Sequence, residues 1–397
     1  MFLVRGDGLK EELINFLREE EMDGYMIYAD SATDSDLYYL TRFLAHDPFL
    51  YLHTLEREMV LVSTLEARRA EREASVDEIV TTERYGMREL LKSGVSRAEA
   101  YVEVVRGLLQ DAFDGESGVR IAVPQSFEVY LADRLREDRE IIPRISPLRA
   151  MRARKKRDEV ALIIDAERRA EEALGLAEER LKEAEVRGGR LYLKGEVLTS
   201  ERLRSIIDMS LLSNGYETEA TIVACGTQSA EPHNIGSGPL ESDKPIVIDI
   251  FPRHKTNRYH ADLTRTFVLG TPEPELIEMH SAVLDAQEKA IEAIQPGVTG
   301  SEVHETVTRV LESHGYESGD EGFIHSTGHG VGLEIHEPPS LSEGGEVLEV
   351  GNVVTVEPGL YYQKIGGVRV EDLILVTENG SKNLTTYHKE LKIEERV

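Results

Sequence analysis

The sequence has few of the features that mark secreted, membrane-spanning or nucleic-acid-binding proteins. It contains a single cysteine, Cys225, so no disulfide can form within the chain and a reducing compartment is expected. No apolar run approaches the roughly 20 residues that a membrane-spanning helix requires. The opening segment, MFLVRGDGLKEEL, lacks the sustained apolar stretch of a signal peptide. We therefore expect a cytoplasmic protein that does not associate with a membrane.

Basic residues are also outnumbered. Lysine and arginine total 46 against 74 aspartates and glutamates, which gives a formal net charge of −28. A field of this sign repels nucleic acids and anionic membranes, so neither is an expected partner. With 40% hydrophobic and 30% charged residues, the composition is that of a globular protein. The length of 397 residues exceeds one ordinary hydrophobic core and predicts two domains.

Residues 8–140 alternate helical and extended patterns, which predicts an α/β domain. This part of the chain holds only two of the twelve histidines, His46 and His53, and contains no catalytic constellation. The helical segments are GLKEELINFLREEEM and SFEVYLADRLRE, and the extended segments are DGYMIYA, EMVLVST and VRIAVP.

The composition of the chain changes near residue 150. Pro143 and Pro147 precede a basic run from Arg149 to Arg157. This run could be a nucleic-acid-binding patch or a connection that leads into a charged helix. The net charge and the absence of interleaved aromatic residues favour the connection. We therefore predict an N-terminal domain at 1–150 and a C-terminal domain at 151–397.

The C-terminal part contains two pairs of predicted helices, and strand patterns follow each pair. The second helix of each pair ends in a similar join, SNGYETE at 213–219 and SHGYESG at 313–319. Chance similarity over such a short window is one explanation. The repeated order of elements favours two similar helix-helix-sheet halves around a shared site. The predicted helices span 155–186, 195–213, 273–295 and 301–314.

Acidic residues interrupt the apolar strand patterns of this domain. Asp249 lies within IVIDIFP and Asp262 lies on the next predicted strand, while PRHKTN between them is typical of a turn. A hairpin would bring the two aspartates side by side. Glu357 ends a β-branched strand in VVTVEPG. Each of these acids, taken singly, could equally be a solvated residue at a strand end or a turn.

Arg369 and Glu371 alternate with valines in GGVRVEDLILV. The period of a strand places both on one face, among apolar neighbours. A buried carboxylate needs a cationic partner or a metal ion. A buried ion pair between Arg369 and Glu371 is therefore an alternative to a metal site.

Ten of the twelve histidines follow residue 230, and two of them lie in STGHGVGLEIHEPP. Glycines on both sides of His329 disfavour a regular helix and permit close backbone approach. His336 is seven positions later, so the two rings would face opposite ways on an uninterrupted strand. Both can reach one cavity only if the chain bends at the glycines. A lone histidine is more often structural, but the four nearby acids favour a functional site.

Four carboxylates in one pocket would repel one another unless cations were present. Two divalent ions would balance the four negative charges, so a two-metal site is electrostatically sensible. Ligation mostly by oxygen favours Mn²⁺, although Co²⁺ or Zn²⁺ could also bind.

Taken together, these residues resemble the binuclear metal centre of the pita-bread metallopeptidases, and most of all their proline-specific branch of Xaa-Pro dipeptidases and aminopeptidases. The resemblance covers residues 150–390 well. It implies an α/β protein whose C-terminal pita-bread domain has two pseudo-twofold halves. DLYYLTRF extends the resemblance more weakly to a smaller, creatinase-like N-terminal α/β domain. The motifs that carry it are Asp249, Asp262, TGHGVGLEIHE, TVEPG and RVED.

The resemblance also implies a role for each site residue. Asp249 would chelate one metal ion, and Asp262 and Glu371 would bridge both ions. His329 and Glu357 would hold the other ion. A bridging hydroxide would be the nucleophile, and Glu357 would also shuttle its proton.

The same resemblance implies a set of residues beside the metals. His336 would contact the scissile carbonyl of the substrate, and His233 in EPHNIGSG matches the second substrate-site histidine. Tyr361 and Arg369 match supporting positions. The stretch from Asp249 to Asp262 is longer than is usual in the family, which leaves the conformation of that loop open.

The function implied is hydrolysis of the peptide bond before proline in short peptides, by a homodimer. One alternative is a pita-bread enzyme that acts on a non-peptide substrate, such as a lyase or a creatinase-like enzyme. Another is a non-catalytic relative that binds partners. Retention of all five ligands counts against a metal-free creatinase-like enzyme and against a binding protein. The sequence does not separate dipeptidase from aminopeptidase.

Overall fold

A computed structural model describes residues 8–394 of the chain. The first seven residues of the segment compared above with a signal peptide lie outside this range. The chain divides into two compact units with the boundary between Met151 and Arg152. We propose that these units correspond to the two predicted domains. No helix within 8–394 combines the length and the hydropathy needed to span a bilayer.

The N-terminal unit is built on one six-stranded mixed sheet with the order β4-β3-β2-β1-β5-β6. Apolar side chains of β1, β2, β3 and β5 bury against the longest helix of this unit, α5, whose Ser96 and Glu99 form a capping box. The strands are β1 (Gly24–Ala29), β2 (Phe49–Thr54), β3 (Glu58–Val62), β4 (Glu78–Thr81), β5 (Arg120–Pro124) and β6 (Glu140–Arg144). The helices are α1 (Gly8–Glu19), α2 (Ser35–Thr41), α3 (Thr64–Glu73), α4 (Met87–Lys92), α5 (Arg97–Ala112) and α6 (Val129–Leu135), with α7 (Leu148–Ala153) at the boundary.

The C-terminal unit contains two helix pairs, and each pair is followed by strands, as predicted. The first pair is α8 (Arg157–Lys182) and α9 (Ser200–Ser213), and the second is α10 (Pro274–Ala293) and α11 (Gly300–Ser313). Helix α9 begins later than the predicted residue 195, because 195–199 form a turn and a short strand before the cap at Thr199. The three short strands between α8 and α9 are β7 (Glu185–Arg187), β8 (Arg190–Leu193) and β9 (Glu196–Val197).

Each helix pair belongs to a half with its own sheet. The first half has the order β11-β12-β14-β22, and its last strand comes from the end of the chain. The second half has the order β16-β15-β17-β20-β21. The strands are β10 (Tyr216–Glu217), β11 (Ile222–Cys225), β12 (Ile246–Ile250), β13 (Arg253–His254), β14 (Leu263–Leu269), β15 (Gly328–Gly330), β16 (Glu337–Leu341), β17 (Val353–Val356), β18 (Gly359–Tyr362), β19 (Gly366–Arg369), β20 (Asp372–Thr377), β21 (Gly380–Asn383) and β22 (Lys392–Ile393).

The predicted hairpin between Asp249 and Asp262 forms, with two differences in detail. Strand β12 pairs with β14 in antiparallel register, but Asp249 lies opposite Thr264, and Asp262 stands one residue before β14. The connection is also more than a turn, because β13 within it pairs with β10 in the join after α9. Strand β13 therefore ties this connection to the join that follows the first helix pair.

Candidate metal centre

Three of the predicted ligand residues meet at one point in the C-terminal unit. Asp262, His329 and Glu371 each offer a ligand atom, and these atoms all lie within 4.8 Å of one another. Asp262 precedes β14, His329 is the middle residue of β15, and Glu371 lies in the break between β19 and β20. The site is therefore assembled from the sheets of both halves.

Asp249 is held beside this group by Arg369. The guanidinium Nη2 donates to Asp249 Oδ2 at 2.6 Å, and both side chains are buried. The suggested ion pair between Arg369 and Glu371 was wrong, because the strand breaks after Arg369 and the guanidinium turns to Asp249. Glu371 Oε2 instead accepts a hydrogen bond of 2.7 Å from Thr264. The second oxygen of Asp249, Oδ1, is buried without a hydrogen-bond partner.

His329 lies against Glu357, the fourth acid of the site. Its Nε2 is 3.3 Å from Glu357 Oε1 and 3.7 Å from Asp262 Oδ2. Its Nδ1 is 3.1 Å from the carbonyl oxygen of Gly330, which can only accept, so Nδ1 is the donor. The neutral ring would therefore present the lone pair of Nε2 to a cation held by the acids, whereas the protonated ring donates from Nε2 to Glu357.

The pKa values of the four acids are shifted in different directions. Burial and the neighbouring carboxylates raise the pKa values of Asp249, Asp262 and Glu371. Burial also acts to raise the pKa of Glu357, but the hydrogen bond and charge of His329 outweigh it and hold this pKa at about 2. The pKa of His329 is raised, because the interaction with Glu357 exceeds the opposing effect of burial.

These observations test whether the residues suit metal ions. Three buried carboxylates disfavour their own ionisation, one buried oxygen lacks a partner, and one imidazole nitrogen points at the group. Divalent cations would relieve the repulsion and use the free oxygen. The donor set of carboxylates with one imidazole therefore fits divalent cations.

His329 and His336 face the same space, as the predicted bend requires. The register of β15 against β16 shifts between His329 and Gly330, and the two ring centroids are 4.2 Å apart. Glycine is needed on both sides of His329. A Cβ at Gly328 would lie 2.0 Å from the carbonyl oxygen of Thr355, and one at Gly330 would lie 2.3 Å from that of Pro338.

The acids and histidines line a cavity of about 490 Å³. His233 follows a short 3₁₀ helix and lines this cavity, as do His336 and Arg369. Part of the wall is apolar and is formed by Ile222, Ile235, Phe251 and Ile335. The cavity can therefore hold a small ligand that has both apolar and polar groups.

Tyr361 stands behind the cavity wall. Its buried hydroxyl accepts from Arg369 Nη1 at 3.0 Å and lies 2.9 Å from His325 Nε2. His325 Nδ1 donates to the carbonyl of Ser326 at 2.7 Å, so Nε2 accepts from the tyrosine. Burial raises the pKa of Tyr361 to about 12, which keeps the hydroxyl protonated. Asp249, Arg369, Tyr361 and His325 thus form one hydrogen-bonded chain.

Sequence reasoning missed three polar residues of this site. His325 lines the cavity and stands four residues before His329, a spacing that could have drawn attention. Thr264 bonds Glu371, and Thr355 Oγ1 donates to Glu357 Oε1 at 3.1 Å. A threonine within a strand carries no sequence signal that separates such a role from ordinary strand preference.

Arg265 lies beneath the centre and uses all its donors. It is 1% exposed and donates to Thr264 O at 2.9 Å, Glu371 O at 2.6 Å and Asp372 Oδ1 at 2.8 Å. It also donates to Tyr387 O at 2.8 Å and His388 O at 2.7 Å. The backbone around Glu371 is therefore fixed to β14 and to the last segment of the chain.

Comparison with known families assigns each part of the chain. Residues 161–378 match metallopeptidase family M24, and residues 10–153 match the creatinase/prolidase N-terminal domain. The first match covers more than half of the chain and includes all five predicted ligand positions.

Individual relatives agree with this assignment. A Xaa-Pro dipeptidase of Pyrococcus furiosus is 43% identical over 203 residues, which are 49% of this chain and 57% of the relative. A Xaa-Pro dipeptidase of Pyrococcus horikoshii is 40% identical over 248 residues, 62% of this chain and 66% of the relative. Each match thus spans less than two thirds of the relative. The crystal structure of the prolidase from P. horikoshii OT3 superposes with a TM-score of 0.78 at 29% identity, covering 97% of this chain and 100% of the other.

Proposed function

The chain belongs to metallopeptidase family M24, and on that premise we propose that it hydrolyses the peptide bond before proline in short peptides. The observation that carries the proposal is the convergence of Asp262, His329 and Glu371 within 4.8 Å, beside Asp249 and Glu357. The relatives described as Xaa-Pro dipeptidases support the choice of substrate.

We assign the ligands as the sequence motifs suggest. Asp249 would hold one divalent ion, His329 and Glu357 would hold the other, and Asp262 and Glu371 would serve both. The oxygen-rich set favours Mn²⁺, and Co²⁺ or Zn²⁺ also suits it. When bound, the ions would supply a hydroxide nucleophile at neutral pH and polarise the scissile carbonyl.

The remaining steps fall to side chains of the cavity. Glu357 is ionised at neutral pH, and Oε1 accepts from Thr355, so we assign proton transfer to Oε2. His336 and His233 line the same cavity and would donate to the carbonyl oxygen of the substrate and orient it. Arg369 holds Asp249 in place and is itself backed by Tyr361.

The cavity also bears on the substrate class. Its volume of about 490 Å³ suits a short peptide, and Ile222, Ile235 and Phe251 offer an apolar surface to a proline ring. We further propose that the enzyme acts as a homodimer in the cytoplasm. Size-exclusion chromatography with light scattering would test the dimer.

The decisive experiment compares Ala-Pro with Ala-Pro-Ala and Ala-Ala, using the full chain loaded with Mn²⁺. Hydrolysis of Ala-Pro but not Ala-Ala would support the proposal, and release of alanine from Ala-Pro-Ala would identify an aminopeptidase. The matched controls are chelated enzyme and the Asp262→Asn variant. Loaded enzyme that cleaves neither proline peptide, or chelated enzyme that keeps full activity, would refute it.

A further inference from the structure

The basic run that the sequence marks as a connection places two cations in the interior of the C-terminal unit. Lys155 Nζ lies 2.5 Å from Glu337 Oε1, and Arg152 Nη2 lies 3.3 Å from Glu337 Oε2. Arg152 Nη2 also reaches Glu334 Oε2 at 2.9 Å. Arg152, Lys155 and Glu337 are buried. We call these four residues the Lys155 cluster.

The two carboxylates of the Lys155 cluster stand on either side of His336 in the chain. Glu337 follows it directly and Glu334 precedes it by two positions. The Lys155 cluster also packs closely against the loop from 331 to 336. A Cβ atom added at Gly332 would lie 2.2 Å from Glu337 Oε1 and 3.0 Å from Lys155 Cε, so this position has room only for glycine. The loop is further tied by the hydrogen bond of 2.8 Å from His260 N to Gly332 O.

The His336 ring depends on this backbone for its position. Within residues 8–394 no hydrogen bond to another residue fixes the ring, and its close neighbour is the ring of His329 at 4.2 Å. The ring is also exposed, so packing restrains it little. The ion-paired, buried carboxylate of Glu337, the next residue in the chain, restrains the backbone that carries the ring.

We propose that Lys155 and Glu337 are positioning residues for His336, and that their ion pair holds the loop so that the imidazole faces the cavity. This inference rests on the proposed function, in which His336 contacts the substrate. It assigns to the basic run a role in turnover that a simple connection between domains would not have.

The test is the Lys155→Met variant in metal-loaded, full-length enzyme acting on Ala-Pro. A misplaced catalytic group costs up to about 10²-fold, so we expect kcat to fall by about 10–100-fold with metal content unchanged. The matched control is Arg154→Met, one residue away, whose exposed side chain lies 3.7 Å from exposed Glu349. This control should keep the wild-type kcat.

A double-mutant cycle separates positioning from general stability. In the His336→Ala background, Lys155→Met should lower kcat no further, because the ring it positions is gone. An equal loss in both backgrounds would overturn the inference while leaving the proposed function intact. A His336→Ala enzyme with the wild-type kcat would instead refute the role of His336 on which the inference rests.

A double variant in which both partners of the ion pair are neutral separates an effect on turnover from an effect on folding stability. Lys155→Met leaves a buried carboxylate without its nearest cation, and adding Glu337→Gln removes that charge as well. We expect the double variant to recover most of the lost Tm but not kcat, because the ion pair is still absent. Recovery of kcat together with Tm would show that the pair serves only stability.

Discussion

The two halves of the C-terminal unit share their helices but differ in their chemistry. Helices α9 and α11 are both 14 residues long, and each begins after a threonine cap, Thr199 or Thr299. Each is followed by a glycine with positive φ, Gly215 at 84° or Gly315 at 86°. The similar joins SNGYETE and SHGYESG therefore correspond to the same structural position, which supports a true internal repeat over chance.

The sheets of the two halves contribute different residues to the site. The first half provides Asp249 and Asp262, whereas the second provides His329, Glu357 and Glu371. The helices that support the two sheets are alike, whereas the strand ends differ and carry the residues that we propose as ligands. Neither half provides all five of the proposed ligand residues, so metal binding and catalysis would require both halves.

The strongest test of this comparison removes one shared ligand from each half. Asp262→Asn and Glu371→Gln keep the shape of the side chain but remove the charge that, as we propose, both ions need. Each should lose at least one ion and lower kcat by more than the roughly 10²–10³-fold typical of losing one hydrogen-bond donor. Metal analysis and kinetics on both variants would check this. Retained metal and rate in either variant would show that its half is dispensable.

The next test compares histidines within the second half. His329→Ala should lower metal occupancy and activity together, because Nε2 is directed at the acids. His336→Ala should keep its metals and its Tm while kcat falls by about 10²–10³-fold, the usual cost of one transition-state donor. Equal metal loss in the two variants would contradict this division of roles.

A third test compares one buried polar residue on the long helix of each half. Glu167 on α8 is fully buried, and burial raises its pKa to about 8, whereas α10 buries the neutral Gln287. The folded state therefore retains a proton that the unfolded state releases near pH 4.5. Stability should fall as pH rises from about 4.5 to 8, by on the order of 5 kcal/mol.

Glu167→Gln would make the first half resemble the second in this respect. The variant should show a flatter dependence of Tm on pH between about 4.5 and 8, because the group that titrates is gone. Thermal unfolding across this range would measure the difference. An unchanged slope would mean that Glu167 is ionised in the folded protein.

The smallest expected effect compares the two threonine caps. Thr199 accepts from Arg202 N, and Thr299 accepts from Glu302 N in a full capping box. Each change to alanine should cost about 1 kcal/mol, with Thr299 the more costly. Urea unfolding would measure both, with exposed mid-helix Ser205→Ala as a control that costs little. A large loss at one cap alone would show that the helix pairs are supported differently.

The convergence of Asp262, His329 and Glu371 was predictable because strand-end acids and glycine-bracketed histidines are local patterns. The pairing of Arg369 was not, because it depends on where β19 breaks. Buried ionisable groups were also missed. Glu167 and Lys155 look solvated in a charged helix or run, and only contacts with Thr385 and Glu337, far along the chain, show otherwise. The burial of these side chains depends on contacts with residues far along the chain, which the local spacing of residues does not predict.

Arg265 has a consequence for the order in which this protein is made. Its guanidinium is buried in β14, but the carbonyls of Tyr387 and His388 that it needs lie more than 120 positions later. Strand β14 therefore leaves the ribosome long before Tyr387 and His388 are synthesised. Burying the guanidinium of Arg265 without these hydrogen-bond acceptors would cost folding free energy. The C-terminal unit must complete its fold after synthesis has passed His388, so a chain that stops earlier should be captured by chaperones or proteases.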